Sequence, residues 1–412
     1  MQLEPIVRRT YDNGLVLVSE RTPWSQRVAV NIGIKVGSVD ELPSEEGAAH
    51  FLEHLMWKRK TKKETRKRGL IQDRHGILSN AATDFGLTEF TIEAPKDKLS
   101  VAFSTAMADL GTFEFDPSEF SSEREVVLTE IKRRIEDHAI FGYYRLHEKL
   151  FGGTLLARPI EGTYDPVASL SQDRILDFKR KWYVPNNMVV SVVGNFDQHE
   201  LEEIIARTLG TLKRGVVNKR EIILPECKPS INQFEREGLE LVHLNIGFNP
   251  GHLTFDEKEY LSQAIGVLSD GEGAILRQEF REKEGLVYAI GASSTTPIPH
   301  TTFIHIGLEC EPHKLRRVEE KMYLVLEKMK QGRFSRRRFE DAKTVFKTSI
   351  LERFFEDLSC KAEILTARVL SDDRRDYRGL IQRIDELSYE RTQEHARRFF
   401  SQPYVTVKLV PA

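Results

Sequence analysis

The stretch "VNIGI", residues 30–34, returns 214 positions later as "LNIGF", residues 244–248. A second pair keeps nearly the same offset, because "DKLSVA" (97–102) and "HKLRRV" (313–318) are 216 positions apart. Both members of this second pair follow a strand-like stretch, "LTEFTIEAP" at 87–95 and "TTFIHIGLE" at 301–309. Short matches that keep their order and spacing indicate two copies of one domain.

The segment between the copies is suited to a boundary. Residues 215–232 contain Pro225 and Pro229 among mixed charges and have no regular apolar period. We therefore predict one domain over residues 1–218 and a homologous second domain over residues 232–412.

Each copy mixes strands with long helices. "MVVSVVGNF" (188–196) has the pattern of a buried strand, and "YVTVKLV" (404–410) is its expected counterpart at the end of the second copy. Residues 117–151 predict a long helical segment, with Gly142 as the place for a break. Because strands and helix pairs do not alternate regularly, we predict an α+β fold. Each of the two homologous domains is expected to be a largely antiparallel sheet with helices packed on one face.

Composition excludes several classes of protein. The 412 residues are 40% hydrophobic and 30% charged, with a formal net charge of −2, so bulk electrostatics do not indicate nucleic acid or anionic membrane. The three cysteines are far apart and form no CxxC pair, which fits a reducing compartment. No apolar run approaches the roughly 20 residues of a membrane helix, and no signal peptide is evident. We expect a cytoplasmic protein with no membrane partner.

The stretch "AAHFLEHLMW", residues 48–57, carries the first candidate site. On a helix, His50 and His54 share a face and present two imidazoles to one point, with Glu53 beside them. Zinc accepts imidazole ligands, and a neighbouring carboxylate can take a proton from bound water. Taken alone, the pattern leaves open two incidental histidines on an amphipathic helix.

A zinc peptidase needs a third protein ligand, and "EREVVLTEIK" (123–132) supplies candidates. Glu123 and Glu130 are seven residues apart on one helical face, about 10 Å along the axis. Both cannot bind one ion, so one would be a ligand while the other orients a ligand.

These motifs, taken together, resemble the pitrilysin, insulysin and mitochondrial-processing-peptidase family, whose members carry H-x-x-E-H and a distant glutamate. The resemblance extends along nearly the whole chain. Similar segments are the first strand "NGLVLV" (13–18), the approach "VGSVDELPSEEG" (36–47), the edge strand "HGILSNAATDFGLTEF" (75–90) and "GAILRQEFREKEGLVYAIGAS" (273–293).

The resemblance assigns roles at the metal site. His50, His54 and Glu130 are similar to the ligands of Zn2+, Glu53 to the general base that activates zinc-bound water, and Glu123 to the carboxylate behind a ligand.

Four further residues resemble substrate contacts. Asn80 and Ala81 match edge-strand positions beside the scissile bond, where a peptide adds by main-chain hydrogen bonds. Arg281 and Tyr288 match a pair that contacts the substrate from the opposite half of a clamshell.

The implied activity is a zinc endopeptidase that hydrolyses unfolded peptides in an enclosed chamber. Because this chain has two such domains and longer relatives have four, it would form half of a clamshell, completed in a homodimer or in a heterodimer with a related subunit. The alternative is a catalytically silent or partner-dependent subunit of a heterodimeric peptidase.

The chain departs from the family pattern in three places. His75-Gly76 stands where Gly-Gly is frequent, "WKRKT" (57–61) stands where the family has "FKGT" after the zinc helix, and the glycine-rich stretch before Arg281 is only "SDGEGA" (269–274).

A separate feature is "KRKTKKETRKR" (58–68), which has eight basic residues in eleven. The basic run is typical of a solvated helix face, and it leaves open attraction of acidic peptides or a nucleic-acid site, although we expect no nucleic acid partner.

Overall fold

The computed structural model describes residues 4–58, 60–107, 110, 114–218, 222–298 and 301–412. The strands are β1 Val7–Thr10, β2 Val16–Arg21, β3 Arg27–Ile34, β4 Leu78–Thr83, β5 Thr88–Pro95, β6 Met188–Gly194, β7 Ser230–Arg236, β8 Val242–His252, β9 Val287–Thr295, β10 Thr301–Cys310 and β11 Tyr404–Pro411. The α-helices are α1 Ala48–Leu55, α2 Lys62–His75, α3 Leu99–Met107, α4 Pro117–Glu136, α5 His138–Leu150, α6 Tyr164–Ser169, α7 Gln172–Trp182, α8 Gln198–Arg207, α9 Phe255–Ser269, α10 Leu315–Lys330, α11 Arg336–Leu351, α12 Leu358–Leu370, α13 Leu380–Glu386 and α14 Tyr389–Phe400.

The strands form two sheets with matching order. The first sheet is β1-β2-β6-β3-β5-β4, and the second is β7-β11-β8-β10-β9. In both sheets one pair is parallel, β2 with β6 and β7 with β11, and the other pairs are antiparallel. The predicted α+β fold with two homologous, largely antiparallel sheets is therefore confirmed, and β1 is an addition to the first copy.

The repeated stretches lie at the same place in the two sheets. Val30 is opposite Ile92 in the first sheet, and Leu244 is opposite Leu308 in the second. The strand predictions at 188–196 and 404–410 are also confirmed, since β6 and β11 occupy equivalent positions.

The chain divides into two compact units that exchange helices. Unit 1 comprises Met1–Lys132, Pro159–Glu221 and Arg353–Arg374, and unit 2 comprises Arg133–Arg158, Ile222–Glu352 and Arg375–Ala412. Thus α12 packs on β3 and β6 in unit 1, and α5 packs on β8 and β11 in unit 2. The predicted domains 1–218 and 232–412 follow the repeat, whereas the compact units also contain one helical segment from the other half.

Alternation along the central strands explains why both sheet faces are covered. In β3, Val28, Val30 and Ile32 are at most 1% exposed and join the core formed with unit 1's other helices. The intervening Asn31 and Gly33 face the other way, toward α12. A Cβ on Gly33 would lie 2.3 Å from Thr366 Cγ2, so only glycine leaves room for this helix. Each sheet thus carries its own helices on one face and an exchanged helix on the other.

The predicted helical break at Gly142 is wrong. The chain leaves α4 and enters α5 at Asp137, whose carboxylate accepts a hydrogen bond from the Ile140 amide at 2.9 Å. Short polar side chains favour such helix starts because they satisfy amides that have no intrahelical partner. Gly142 lies inside α5, where a Cβ would come within 2.7 Å of Asn245 Nδ2. Close approach to the sheet, rather than a break, requires that glycine.

Among the described residues, no helix combines the length and apolar character needed to cross a membrane.

Candidate metal centre

Helix α1 presents two histidines on one side and apolar residues on the other. Phe51, Leu52 and Leu55 are fully buried, while the side chains of His50 and His54 are 13% and 17% exposed. The two imidazole rings lie 4.8 Å apart in an edge-to-face arrangement. The predicted helix is confirmed, and the burial of its apolar face fixes the direction of both imidazoles.

A buried carboxylate fixes the start of this helix. Glu41, 1% exposed, accepts hydrogen bonds from the amides of Gly47 and Ala49, both at 2.9 Å. These amides belong to the first turn, where a helix has unpaired N–H groups and a partial positive charge. Glu41 thereby holds α1 without occupying the histidine face.

Helix α4 brings a carboxylate to the histidine pair. Glu130 Oε2 lies 3.6 Å from His50 Nε2 and 3.4 Å from His54 Nε2. One ligand atom from each of the three residues can be chosen so that all lie within 4.8 Å of one another. The packing of Phe51 against Phe120, with ring centroids 4.9 Å apart, joins the two helices beside the site.

These distances fit a zinc ion. Tetrahedral zinc with nitrogen and oxygen ligands at about 2.0–2.1 Å keeps neighbouring ligand atoms about 3.3 Å apart. The two imidazole-to-carboxylate separations are close to that value. Among the described residues, this is the one group of three or more His, Cys, Asp or Glu side chains with metal-binding geometry.

Glu123 lies behind His54. Its Oε2 is 3.4 Å from His54 Nδ1, and its Oε1 is 2.8 Å from Lys58 Nζ. Burial raises the pKa of Glu123, but hydrogen bonds from His54 and Lys58 outweigh it, so the net shift is downward. An ionised Glu123 would keep the proton of His54 on Nδ1 and leave Nε2 for a metal.

Charges around His54 favour its protonated form. Burial lowers its pKa, but the hydrogen bond to Glu123 and the charges of Glu130 and Glu53 raise it more, so the net shift is upward. A concentration of carboxylates around two imidazoles suits a cation at this point.

Glu53 is held by a residue that sequence reasoning did not single out. Thr83 Oγ1, at the end of β4, donates a hydrogen bond of 2.6 Å to Glu53 Oε2. Burial raises the pKa of Glu53 above its ordinary value, although the Thr83 hydrogen bond and the charge of His54 oppose the shift. The phenol of Tyr183 is buried, which raises its pKa, and the negative charge of nearby Glu53 raises that pKa further. Glu53 is therefore a half-desolvated carboxylate in a fixed position, as a general base requires.

The edge strand lies beside this carboxylate. Strand β4 is at the edge of the first sheet, with β5 as its one neighbour, and it carries Asn80 and Ala81 before Thr83. Asn80 is exposed and Ala81 is half-buried. Their substrate-binding role stays a prediction, but the strand has a free edge of the kind that a peptide can extend.

Arg281 and Tyr288 belong to unit 2. Arg281 lies in a π-helical segment, Arg277–Glu282, and Tyr288 lies on β9 with 79% of its surface exposed. The predicted contact of this pair with substrate stays a prediction.

Three residues that support the site, Thr83, Glu41 and Lys58, were not identified from the sequence, and the sequence offers a signal for only one of them. Thr83 was within reach, because it is two positions after Ala81 on an expected strand and must share its side of the sheet. Glu41 and Lys58 gave no comparable signal, since Glu41 reaches the Gly47 amide through the irregular segment before α1 and Lys58 reaches Glu123 only where α4 lies beside the end of α1.

Comparison with known proteins supplies the family. Residues 16–164 match the model of the insulinase family, peptidase family M16, and residues 169–346 match the model of the peptidase M16 inactive domain. An uncharacterised zinc protease of Bacillus subtilis is 24% identical over 408 residues, covering 99% of this chain and 98% of that protein.

Two solved structures share the fold. A protease from Helicobacter pylori superposes with a TM-score of 0.92 at 21% identity, covering 99% of this chain and 100% of that one. A peptidase M16 inactive domain from Pseudomonas fluorescens gives a TM-score of 0.90 at 17% identity, covering 99% and 98%. With two models of one family in tandem over residues 16–346, the chain belongs to peptidase family M16, the pitrilysin- and insulysin-like inverted zinc metallopeptidases.

Proposed function

We propose that this protein is a zinc-dependent endopeptidase acting on unfolded peptides. The observation that carries the proposal is the meeting of His50, His54 and Glu130 at zinc-ligand separations, with Glu53 fixed beside them. A purely structural role would not require two imidazoles and a carboxylate to converge on one point at the surface of α1.

The protein groups divide the work of hydrolysis. Zinc, when bound by His50, His54 and Glu130, supplies Lewis acidity that lowers the pKa of water and polarises a carbonyl. Glu53 takes a proton from the attacking water and passes it to the leaving amine. Thr83 limits the carboxylate to one orientation, and Glu123 fixes the ring of His54.

The substrate would be an extended peptide. Main-chain hydrogen bonds to the edge of β4 would place a carbonyl near Glu53, and this mode of binding requires a segment free of its own secondary structure. Arg281 and Tyr288 are the proposed donors to the substrate carbonyl, supplied by a second subunit. Rapid cleavage of a stably folded protein would contradict this substrate class.

We propose a homodimer as the simplest assembly, since one chain carries both the metal-site motif and the Arg281/Tyr288 pair. A heterodimer with a related subunit is the second arrangement. Analytical ultracentrifugation of the purified chain tests the assembly, because a dimer would support the first arrangement and a fully active monomer would contradict both. The cytoplasmic location is likewise a proposal, to be checked by fractionation.

One observation favours a second function. The family model matched by residues 169–346 is described as an inactive domain. A chain that needs a different subunit for catalysis, or serves only as the silent partner of one, would fit that description.

The test is cleavage of a mixed pool of unstructured peptides of about 10–30 residues, followed by mass spectrometry. Wild type, chelator-treated protein and Glu53→Gln are compared. We expect cleavage by wild type alone, with a loss of roughly two to four orders of magnitude in Glu53→Gln. A zinc-loaded wild type that cleaves nothing would contradict the proposal and favour the partner-dependent subunit.

A further inference from the structure

Helix α2 has two different long sides. Its inner side includes buried Arg68, whose guanidinium donates to the carbonyls of Thr105 and Trp57, both at 3.0 Å, and lies 4.6 Å from the centre of the Trp57 ring. Its outer side carries Lys63, Arg66, Lys67, Leu70 and Arg74, all exposed and spaced as neighbours on one helical surface. These five residues are called the α2 stripe below. Since the inner side is anchored, the stripe is held facing solvent.

The four cations of the α2 stripe differ from the basic residues that precede the helix. Lys58 pairs with Glu123 and Lys60 with Glu114. Within the described part of the chain, no carboxylate lies within ion-pair distance of Lys63, Arg66, Lys67 or Arg74. The charges on α2 itself are unevenly balanced, with six Lys or Arg against Glu64 and Asp73. The stripe is therefore a local positive surface on a chain whose net charge is only −2.

The α2 stripe runs toward the edge strand. Helix α2 ends at His75, Gly76 turns the chain with a φ of 62°, and β4 begins at Leu78. Gln72 Nε2 donates to Ser79 Oγ at 3.1 Å, which fixes the end of the helix beside the strand. Leu70 and Leu78 are 54% and 60% exposed, so both the stripe and the start of β4 present an apolar side chain to solvent.

We infer that the α2 stripe binds an acidic segment of the peptide substrate, on the side of the scissile bond that leaves β4 past Leu78. This inference rests on the proposed function. Eleven residues of helix separate Lys63 from Arg74, a span of about 16 Å. An extended peptide covers that distance with about five residues. A peptide paired with β4 would reach Arg74 first and Lys63 last.

A peptide suits this surface better than a nucleic acid does. Four cations along one short helix would contact few phosphates, whereas the neighbouring β4 edge offers main-chain hydrogen bonds to a peptide. The apolar surface of Leu70 and Leu78 also suits a side chain more than a sugar-phosphate backbone. Binding of DNA or RNA is accordingly an outcome that the experiment must be able to reveal.

The experiment uses three peptides that share one cleavable core. One peptide is neutral, one has four glutamates on the N-terminal side, and one has them on the C-terminal side. At low salt, we expect one acidic peptide to be cleaved with a kcat/KM about tenfold above that of the neutral peptide. The gain should appear as a lower KM, because attraction between the α2 stripe and the glutamates raises the rate of encounter. Near 0.5 M salt, where screening is strong, the difference should fall to about twofold or less.

The double variant Lys63→Glu/Lys67→Glu should remove the preference, measured as the ratio of acidic to neutral kcat/KM. Glutamate keeps a high helix propensity at both positions, and position 63 lies in the first turn of α2, where negative charge is favourable, so the helix should persist. The matched control Lys213→Glu/Arg214→Glu makes the same change in net charge in an exposed segment outside α2 and should keep the ratio.

Binding is measured separately, by fluorescence anisotropy of the three labelled peptides on zinc-loaded Glu53→Gln. The inference would be overturned by equal affinity for all three peptides, or by tighter binding of both acidic peptides that persists in the α2 variant. It would also be overturned by steeply salt-dependent binding of DNA or RNA that is lost in that variant. Cleavage of the neutral peptide in such a case would leave the proposed function intact. Selective binding of one acidic peptide without cleavage by wild type would instead contradict the proposed function alone.

Discussion

The two sheets share one strand order, but different side chains lie between each sheet and its exchanged helix. In unit 1, Asn31 Nδ2 donates to Thr91 Oγ1 at 3.3 Å, and Thr91 Oγ1 donates to Glu363 on α12 at 3.3 Å, near Glu89. In unit 2 the surroundings are aromatic. His305 Nε2 contacts Asn245 Oδ1 at 2.9 Å, and its ring lies 5.4 Å from that of Tyr143 on α5. The repeat has kept an asparagine and a glycine for close helix packing while the neighbouring side chains have diverged.

A similar divergence affects the helix that follows the repeated strand. Helix α1 places His50 and His54 at the candidate metal centre, whereas α9, which follows β8, contains no histidine. Instead α9 buries Leu261, Ala264 and Leu268, each at most 1% exposed. In the first copy this helix therefore carries residues of the candidate metal centre, and in the second copy it contributes buried residues to the hydrophobic core.

The largest expected effect tests the shared glycine. Gly33→Ala should destabilise the protein by about 1–3 kcal/mol, since its Cβ would overlap Thr366 Cγ2 at 2.3 Å. Gly247→Ala should destabilise it less, because there the nearest atom, Leu146 Cδ2, is 3.0 Å away and can shift. Thermal denaturation measures both.

A second substitution identifies the cause. Thr366→Ser removes Cγ2 and keeps the 2.8 Å hydrogen bond to Ser191, so it should restore part of the stability of Gly33→Ala. No restoration in the double variant would show that α12 packing is not the reason for the glycine.

The next effect concerns the ends of the corresponding edge strands. Thr83→Val should lower kcat roughly ten- to hundredfold on a cleavable peptide, because Glu53 loses a hydrogen bond to a charged group. Thr83→Ser should recover most of the rate, and zinc content should not change. Thr295→Val, at the exposed end of β9, is the matched control. A Thr83→Val enzyme of normal kcat would remove Thr83 from the account.

A smaller effect distinguishes unit 1 by its loss of stability as pH rises toward neutrality. Burial, followed by the charge of Glu363, raises the pKa of Glu89 from 4.5 to about 7. Between these values the unfolded chain ionises and the folded one does not, so stability should fall as pH rises from about 4.5 to 7. Glu89→Gln should remove a pH-dependent contribution to the free energy of unfolding on the order of 1 kcal/mol. The melting temperature of the variant should therefore fall less steeply over this pH range. An unchanged slope would contradict it.

The opposite slope is expected from unit 2. Burial lowers the pKa of His305 from 6.5 to about 4, so the unfolded chain takes up a proton first as pH falls. Stability from this group is present above about 6.5 and lost toward pH 4. His305→Gln should reduce the acid sensitivity of the melting temperature, and a variant as acid-sensitive as wild type would count against a neutral buried histidine.

Sequence reasoning could predict the elements whose signals are local. The period of α1, the buried-strand pattern of β6 and the repeat of "VNIGI" and "LNIGF" are local signals, and they indicated the helix, the strand and the matched sheets. The break at Asp137 rather than Gly142 was not predicted, because the need for glycine arises from Asn245, about 100 positions away.

The site divides in the same way. The convergence of His50, His54 and Glu130 was expected from spacing and resemblance. The support of Glu53 by Thr83 depends on a tertiary contact, and that of α1 by Glu41 depends on the path of the irregular segment before the helix. The exchange of α5 and α12 also depends on packing between distant segments, and no local pattern indicates it.

We propose that one copy of the fold holds a metal ion and that the other does not. The most direct measurement is zinc per chain, by inductively coupled plasma mass spectrometry after loading and dialysis. We predict about one zinc per wild-type chain and per His305→Gln chain, and almost none in folded His50→Ala/His54→Ala, since two of the three protein ligands are then missing. A folded wild type without zinc, or a double variant that keeps one zinc per chain, would contradict the account.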